Sequence, residues 1–264
     1  MNGNWNGKLD KQSNSKSKQQ IASTEMLLPK LQDNTILLWQ IPLTSWQDKQ
    51  LTLMQQGLSQ KEQKRLSSLS HSLSIRNFVI TRTLMRQILT QYLQCAQDDI
   101  VYHYNQYGKP ELVESSSNPH NLCFNLSHSG DIALFALCKN AALGVDIECD
   151  NKTRDVMRLA KRFFHVEEYQ TLVKLPPAQQ RDAFFRTWTR KEAFAKAIGS
   201  GLQFPFSQFQ VSSGEEASLI WVDPTRYVGP ASLASVEIKP PYFASVAILS
   251  QKRDIVFIQW PKTK

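Results

Sequence analysis

Residues 178–198 read AQQRDAFFRTWTRKEAFAKAI, and Ser74–Leu93 read SIRNFVITRTLMRQILTQYL. In both, apolar side chains recur at three- and four-residue spacing without an internal Gly or Pro, which predicts one long helix in each. The two helices belong to segments set 106 residues apart, so that residues 39–86 fall on 145–192 without a gap. Ile41 meets Ile147, Leu53 meets Leu159, Glu62 meets Glu168, Leu66 meets Leu172 and Leu69 meets Leu175; Phe78 meets Phe184, and Thr81 and Thr83 meet Thr187 and Thr189. The order of elements repeats too: a short strand, a helix opening near an S/F-x-x-E turn, then a long helix with Phe near its start. The period is too long for a solenoid. Two copies predict an α+β fold of two similar subdomains related by pseudo-twofold symmetry, each a small antiparallel sheet packed on a long helix. The cleft between the halves is then a natural ligand site.

Outward from the helices, strands are expected at Ile36–Trp39, Phe124–Leu126, Ile132–Leu137, Phe209–Val211, Ser218–Val222, Ser232–Ile238 and Ala244–Leu249. Residues 1–33 are rich in Asn, Gln, Ser and Lys and read as a disordered polar extension, because they carry too little apolar surface to offset the entropy of ordering. An N-terminal subdomain over 34–143 and a C-terminal subdomain over 144–264 follow.

The bulk properties exclude several classes. No apolar run approaches the ~18 residues of a membrane span, and the polar start lacks a signal-peptide core. The expected setting is cytoplasmic, with no membrane partner. The four cysteines, Cys95, Cys123, Cys138 and Cys149, show no CxxC spacing and read as small buried hydrophobes rather than disulfide or zinc ligands. The net charge of +8 favours acidic partners without choosing among nucleic acid, polyphosphate and protein.

Four clusters carry candidate chemistry. In Gly144-Val-Asp-Ile-Glu148, strand alternation puts Asp146 and Glu148 on one face. Paired hard-oxygen donors suit Mg²⁺ shared with phosphate oxygens; alone, the pattern fits a solvated strand face better. In Thr187–Gly199, Trp188, Glu192 and Lys196 lie four apart on one helix face. An exposed ion pair would look the same, but this helix is largely apolar elsewhere, and buried charges need partners. In Phe124–Asp131, Ser127, His128 and Ser129 cluster as donors beside Gly130, suited to a phosphate oxygen or to a plain hairpin turn. Tyr107-Gly-Lys-Pro110 holds Lys109 in a turn. Arg76, Arg82 and Arg86 stand along the first long helix, facing an anion or solvent.

In this order, Y-G-K-P, F-N-L-S-H-S, G-V-D-I-E, F-F-x-x-E-E and W-T-R-K-E-A-F-A-K-A-I-G-x-G-L resemble the 4′-phosphopantetheinyl transferase superfamily over roughly residues 36–250. The internal repeat matches its two-halved, surfactin-synthetase-activating (Sfp-like) type, and the Gln and Asn stretches resemble cyanobacterial members. The resemblance implies a holo-carrier-protein synthase that moves the phosphopantetheine arm of coenzyme A onto a serine of an acyl or peptidyl carrier protein. Adenosine 3′,5′-bisphosphate is then released. It implies Mg²⁺ as cofactor held by Asp146, Glu148 and Glu192. Ser127, His128, Lys109 and Lys196 would contact coenzyme A, and Arg76 and Arg82 match the basic 3′-phosphate contacts loosely. Glu192, Lys196 and His128 are the expected catalytic residues, Glu192 being first choice as proton acceptor, and Trp188 is expected to pack the helix. The carriers would belong to fatty-acid, polyketide or nonribosomal-peptide synthesis. A monomer is expected, since the second half supplies the interface that single-half relatives obtain by oligomerising.

Two rival readings remain on sequence. A non-catalytic coenzyme A or carrier-protein binding module would keep the fold, but Asp146, Glu148, Glu192 and Lys196 are all intact. A nucleic-acid-binding protein would explain the charge but not three carboxylates around one site, and no nucleic-acid-binding motif is present.

Overall fold

A computed structural model of the chain describes residues 28–113 and 118–261. Its first half runs β1 (Thr35–Pro42), α1 (Asp48–Gln56), α2 (Gln60–Ser67), α3 (Ser72–Leu93), β2 (Tyr102–Tyr104), β3 (Pro110–Leu112), β4 (Leu122–Ser129) and β5 (Ile132–Lys139). The second half runs β6 (Leu143–Cys149), α4 (Val156–Phe163), α5 (Val166–Lys174), α6 (Pro177–Ile198), β7 (Phe209–Val211), β8 (Leu219–Val222), β9 (Ser232–Val236), β10 (Tyr242–Ile248) and β11 (Asp254–Gln259).

The repeat is visible in these bounds, as a strand, two short helices and a long helix in each half. It extends to the helix starts. Ser59 caps α2 and exchanges a capping box with Glu62; 106 residues on, His165 caps α5 and exchanges one with Glu168. Pro177 opens α6 at its first turn, and Gly199 closes it in the left-handed conformation, φ 95°.

Two sheets carry the halves. One has the order β11-β1-β5-β4 and the other β6-β10-β9. Alternate residues of their strands fill the space between them: Ile36 and Leu38 of β1, Leu134 and Ala136 of β5, Val145 and Ile147 of β6, and Val246 of β10. The opposite face of the first sheet, with Leu37, Trp39 and Ile41, packs on Ile80, Leu84 and Ile88 of α3. The other face of the second sheet receives α6.

Here the structure departs from the linear repeat. The offset of 106 holds for the α2 and α5 caps but slips by one in the strands. Trp39 faces α3, whereas Val145, its linear match, faces the space between the sheets. Ile41 therefore does not stand where Ile147 stands. Gly144, Asp146 and Glu148 take the helix-facing side of β6, as Leu37, Trp39 and Ile41 take the helix-facing side of β1.

Two further differences concern the ends. β11 lies within residues 144–264 but pairs in parallel with β1, Leu37 opposite Val256, so the last strand completes the first half's sheet. Leu28 and Leu31, within the expected polar extension, pack on the first core, and Tyr92 donates to the Pro29 carbonyl at 2.7 Å. Residues 1–27 of that extension lie outside the described residues.

Candidate active site

α6 can lie close on β6 because Gly144 has no side chain. A Cβ there would stand 2.1 Å from the Ala193 carbonyl oxygen and 2.5 Å from the Ala197 nitrogen. The close approach brings the 192–196 turn of α6 over β6. Alternation then sends Val145 and Ile147 into the core and Asp146 and Glu148 toward α6.

The seam between halves positions the same strand from the other side. β4 and β6 lie side by side but belong to different sheets, with no main-chain ladder between them. Three alternate side chains of β4 substitute for it. Asn125 Oδ1 accepts the Val145 N–H at 2.9 Å. Ser127 Oγ donates to Asp146 Oδ1 at 2.9 Å. Ser129 Oγ donates to Glu148 Oε2 at 3.2 Å and accepts the Cys149 N–H at 3.0 Å.

The resulting cluster is strongly coupled. Asp146 is buried; its Oδ1 also accepts from Lys196 Nζ at 2.6 Å, while Oδ2 is buried with no hydrogen-bond partner. Burial raises the Asp146 carboxyl above its ordinary range, against the pull of the Lys196 charge. Glu192 is pushed up to about 7, first by burial and then by Asp146. Burial alone would lower the Lys196 ammonium, but Asp146 and Glu192 outweigh it and hold it above its usual value. Glu148 is half out of this core, with Arg154 3.0 Å from its Oε2. His128 stands at the rim, open to solvent on one side and packed near protein on the other; the hydration lost on the packed side, then the charges of Lys196 and Arg82, hold its imidazole below the ordinary value. Arg82 stacks over the Phe78 ring at 5.4 Å, leaving a basic group near His128.

These groups fit a divalent cation. The donors are hard oxygens, and one of them, Asp146 Oδ2, is a buried acceptor without a donor. Among the described residues no three of His, Cys, Asp and Glu gather as a ready metal group; Lys196 and Arg154 provide the positive charge on Asp146 and Glu148.

Ser127, Asp146, Glu192 and Lys196 are thus brought together, with Glu148, His128 and Arg82 around them. Two of the residues expected to contact phosphate are engaged elsewhere. Arg76 donates to the carbonyls of Leu43, Thr44 and Trp46, which pins the β1–α1 loop. Lys109 Nζ donates to the carbonyls of Leu143 at 3.1 Å and Ala197 at 3.4 Å, tying the start of β6 to the end of α6. Asn105, in the same turn, holds the Gly199 carbonyl at 2.8 Å. Arg86 pairs with Glu62 inside the first half. Trp188 packs among Phe163, Phe164, Phe184 and Phe206, as expected of a packing residue.

A family model described as the 4′-phosphopantetheinyl transferase superfamily matches residues 142–228, and one described as the N-terminal part of a 4′-phosphopantetheinyl transferase matches residues 44–140. The chain is 38% identical over 180 residues to the 4′-phosphopantetheinyl transferase HetI of Nostoc sp., covering 66% of this chain and 75% of that protein. The chain belongs to the 4′-phosphopantetheinyl transferase superfamily. It is also 31% identical over 164 residues to Sfp of Bacillus subtilis, covering 62% of this chain and 69% of that protein, and 30% identical over 206 residues to ffp of the same species, covering 73% and 88%.

Within this transferase family member, sequence reading does not single out Asn125 or Arg154, and expects Ser129 only as a turn donor. Asn125 had one available signal: the polar alternation 125, 127, 129 on a single strand. Arg154 had none, because it reaches Glu148 through the fold of a loop.

Proposed function

We propose that the chain is an Mg²⁺-dependent holo-carrier-protein synthase working at the seam between β4 and β6. The observation that carries this is Asp146, paired with Lys196 through Oδ1, left without a partner at its buried Oδ2, and near enough to Glu192 to raise its carboxyl. A coenzyme A diphosphate entering beside three carboxylates would be repelled unless a cation joined them. Asp146, Glu148 and Glu192 are the residues that would hold it. Magnesium, when bound there, supplies polarisation of the phosphoryl oxygens and neutralises their charge.

The chain's own groups do the rest. The carrier serine hydroxyl attacks the β-phosphorus of coenzyme A. The bond to adenosine 3′,5′-bisphosphate breaks as the new P–O bond forms. Glu192 accepts the serine proton directly or through water. Lys196 Nζ is placed beside Asp146 to donate to oxygen atoms on which charge builds. Ser127 holds the Asp146 carboxylate in place. At the rim, Arg82 offers positive charge and His128 a ring N–H to the nucleotide phosphates. Lys109 and Arg76 act behind the site, by holding α6 on β6 and by fixing the β1–α1 loop.

The proposed partners are coenzyme A and apo acyl or peptidyl carrier proteins, with no nucleic acid and no membrane. No helix among the described residues is long and apolar enough to cross a membrane. The four free cysteines support a reducing, cytoplasmic setting. The two family-model matches, ending at 140 and beginning at 142, support halves at 34–143 and 144–264. A seam closed within one chain supports a monomer.

Glu192→Gln tests the assignment against a binding module. The proposal expects coenzyme A binding to persist and transfer to a carrier serine to fall by at least about a hundredfold, the usual scale for losing a general base. Undiminished transfer would remove Glu192 from the chemistry.

A further inference from the structure

The loop between β6 and α4 is built with care for a segment with no place in the proposed chemistry. Asp150 is buried and takes Arg181 of α6 through both carboxylate oxygens, Nε at 3.0 and 2.9 Å. The Asp150 N–H donates to the Pro241 carbonyl at 2.9 Å, and its Oδ1 accepts the Lys152 N–H at 2.9 Å. Lys152 turns the chain in the left-handed region, φ 62°. Asp155 then caps α4 by accepting the Arg158 N–H at 3.1 Å. Arg181 does a second thing: its Nη1 donates to the Arg154 carbonyl at 3.0 Å. The backbone of Arg154 is therefore fixed from α6, the helix that carries Glu192 and Lys196, and its guanidinium meets Glu148 Oε2 at 3.0 Å.

Glu148 is one of the three carboxylates assigned above to the divalent cation, and the inference rests on that assignment. Its Oε2 accepts from Ser129 and is ion-paired with Arg154 at 3.0 Å. A cation drawing on that oxygen contends with both groups. Ser129 is anchored on β4 and also accepts the Cys149 N–H, so it is the fixed donor. Arg154 is over a third exposed at its side chain and has water to move into.

We propose that Arg154 is a resident counter-ion of Glu148 that competes with the divalent cation, and so keeps cation affinity low in the coenzyme-free protein. It holds the carboxylate in place and screens its charge while the site awaits substrate. A cation arriving with a diphosphate brings additional oxygen ligands and is favoured over one arriving alone. Arg154 is a positioning residue in this account, acting through Glu148 and touching no reacting atom.

The test is Mn²⁺ binding to the coenzyme-free full-length protein, followed by electron paramagnetic resonance of the free ion. Arg154→Ala should tighten binding by about three- to fivefold, the scale of a partly exposed ion pair. Arg154→Lys should bind between the two. In a Glu148→Gln background the same Arg154→Ala change should leave affinity unchanged, which separates competition at Glu148 from a general loss of positive charge. Near-ultraviolet circular dichroism of each variant checks that the loop and core remain folded. Unchanged or weaker binding in Arg154→Ala, or equal tightening with and without Glu148, overturns the inference while leaving the enzyme reading intact. A native protein that takes no Mn²⁺ and transfers nothing overturns the assignment of the site itself.

Discussion

Arg86 and Lys191 hold the same place on the two long helices, the fifteenth of 22 residues in each. Arg86 pairs with Glu62, the capping glutamate of α2, at 2.8 Å. Glu168, the equivalent capping glutamate of α5, takes Lys191 at 2.7 Å. Both halves thus keep the same buried ion pair, and the next residue along each helix is Gln87 in the first half and the candidate-site carboxylate Glu192 in the second. On the strands, the helix-facing side carries Trp39 and Ile41 in the first half and Asp146 and Glu148 in the second. One half has kept a core where the other has a site.

The Lys191–Glu168 pair should be costly to break. Lys191 is wholly buried and Glu168 nearly so. Lys191→Met should lower unfolding free energy by about 3–5 kcal/mol, the usual penalty for leaving one buried charge alone. Lys191→Met with Glu168→Gln should recover part of that loss. Urea unfolding of the three proteins measures it, and a double variant as unstable as the single one would contradict the pairing.

Gly144→Ala should separate α6 from β6. The added Cβ would press on backbone atoms of Ala193 and Ala197, which cannot rotate away. The expected loss is about 1–3 kcal/mol of stability, together with transfer activity, because Lys196 and Asp146 are joined across that contact. Thermal unfolding and turnover should fall together.

Sequence reading captured the parts of this arrangement that lie along one element. Asp146 with Glu148 follows from strand alternation, and Glu192 with Lys196 from helix spacing. The capping boxes at Ser59 and His165 sit where the repeat places them. What it missed depends on contacts between distant elements. Strand β11 is half-exposed without clean alternation, and nothing local indicates its parallel partner β1. The capping boxes match at an offset of 106 but the long helices at 105, residues 72–93 on 177–198, so no single gapless offset carries through the structure, and the linear match of Ile41 with Ile147 does not hold. The resemblance offers Arg76 and Lys109 as coenzyme A contacts, and the main-chain carbonyls they bond in the structure carry no sequence signal.

Lys109 gives a test of that last point. If its ammonium serves the Leu143 and Ala197 carbonyls, Lys109→Met should lower kcat with both coenzyme A and 3′-dephospho-coenzyme A by a similar factor. A direct 3′-phosphate contact would instead raise KM for coenzyme A alone.

The Glu192 carboxyl makes stability depend on pH in a definite direction. Its pKa rises from 4.5 to about 7 on folding. The folded state therefore holds this proton more tightly than the unfolded state. The contribution is fully present below 4.5 and is lost as pH rises through 7. Asp146, also raised, acts with the same sign. Metal-free protein should lose thermal stability between pH 5 and 8, and Mg²⁺ should restore more at pH 8 than at pH 5. Glu192→Gln should flatten the slope. Scanning calorimetry in EDTA and in Mg²⁺ at both pH values checks this.

The most direct test of the enzyme reading is the intact mass of apo carrier proteins incubated with the native chain, coenzyme A and Mg²⁺, with a parallel sample in EDTA. The account predicts a gain of one phosphopantetheine group on the carrier serine, absent in EDTA and absent with Lys196→Met. No gain on any fatty-acid, polyketide or peptide carrier, or a gain undiminished by EDTA, would contradict it.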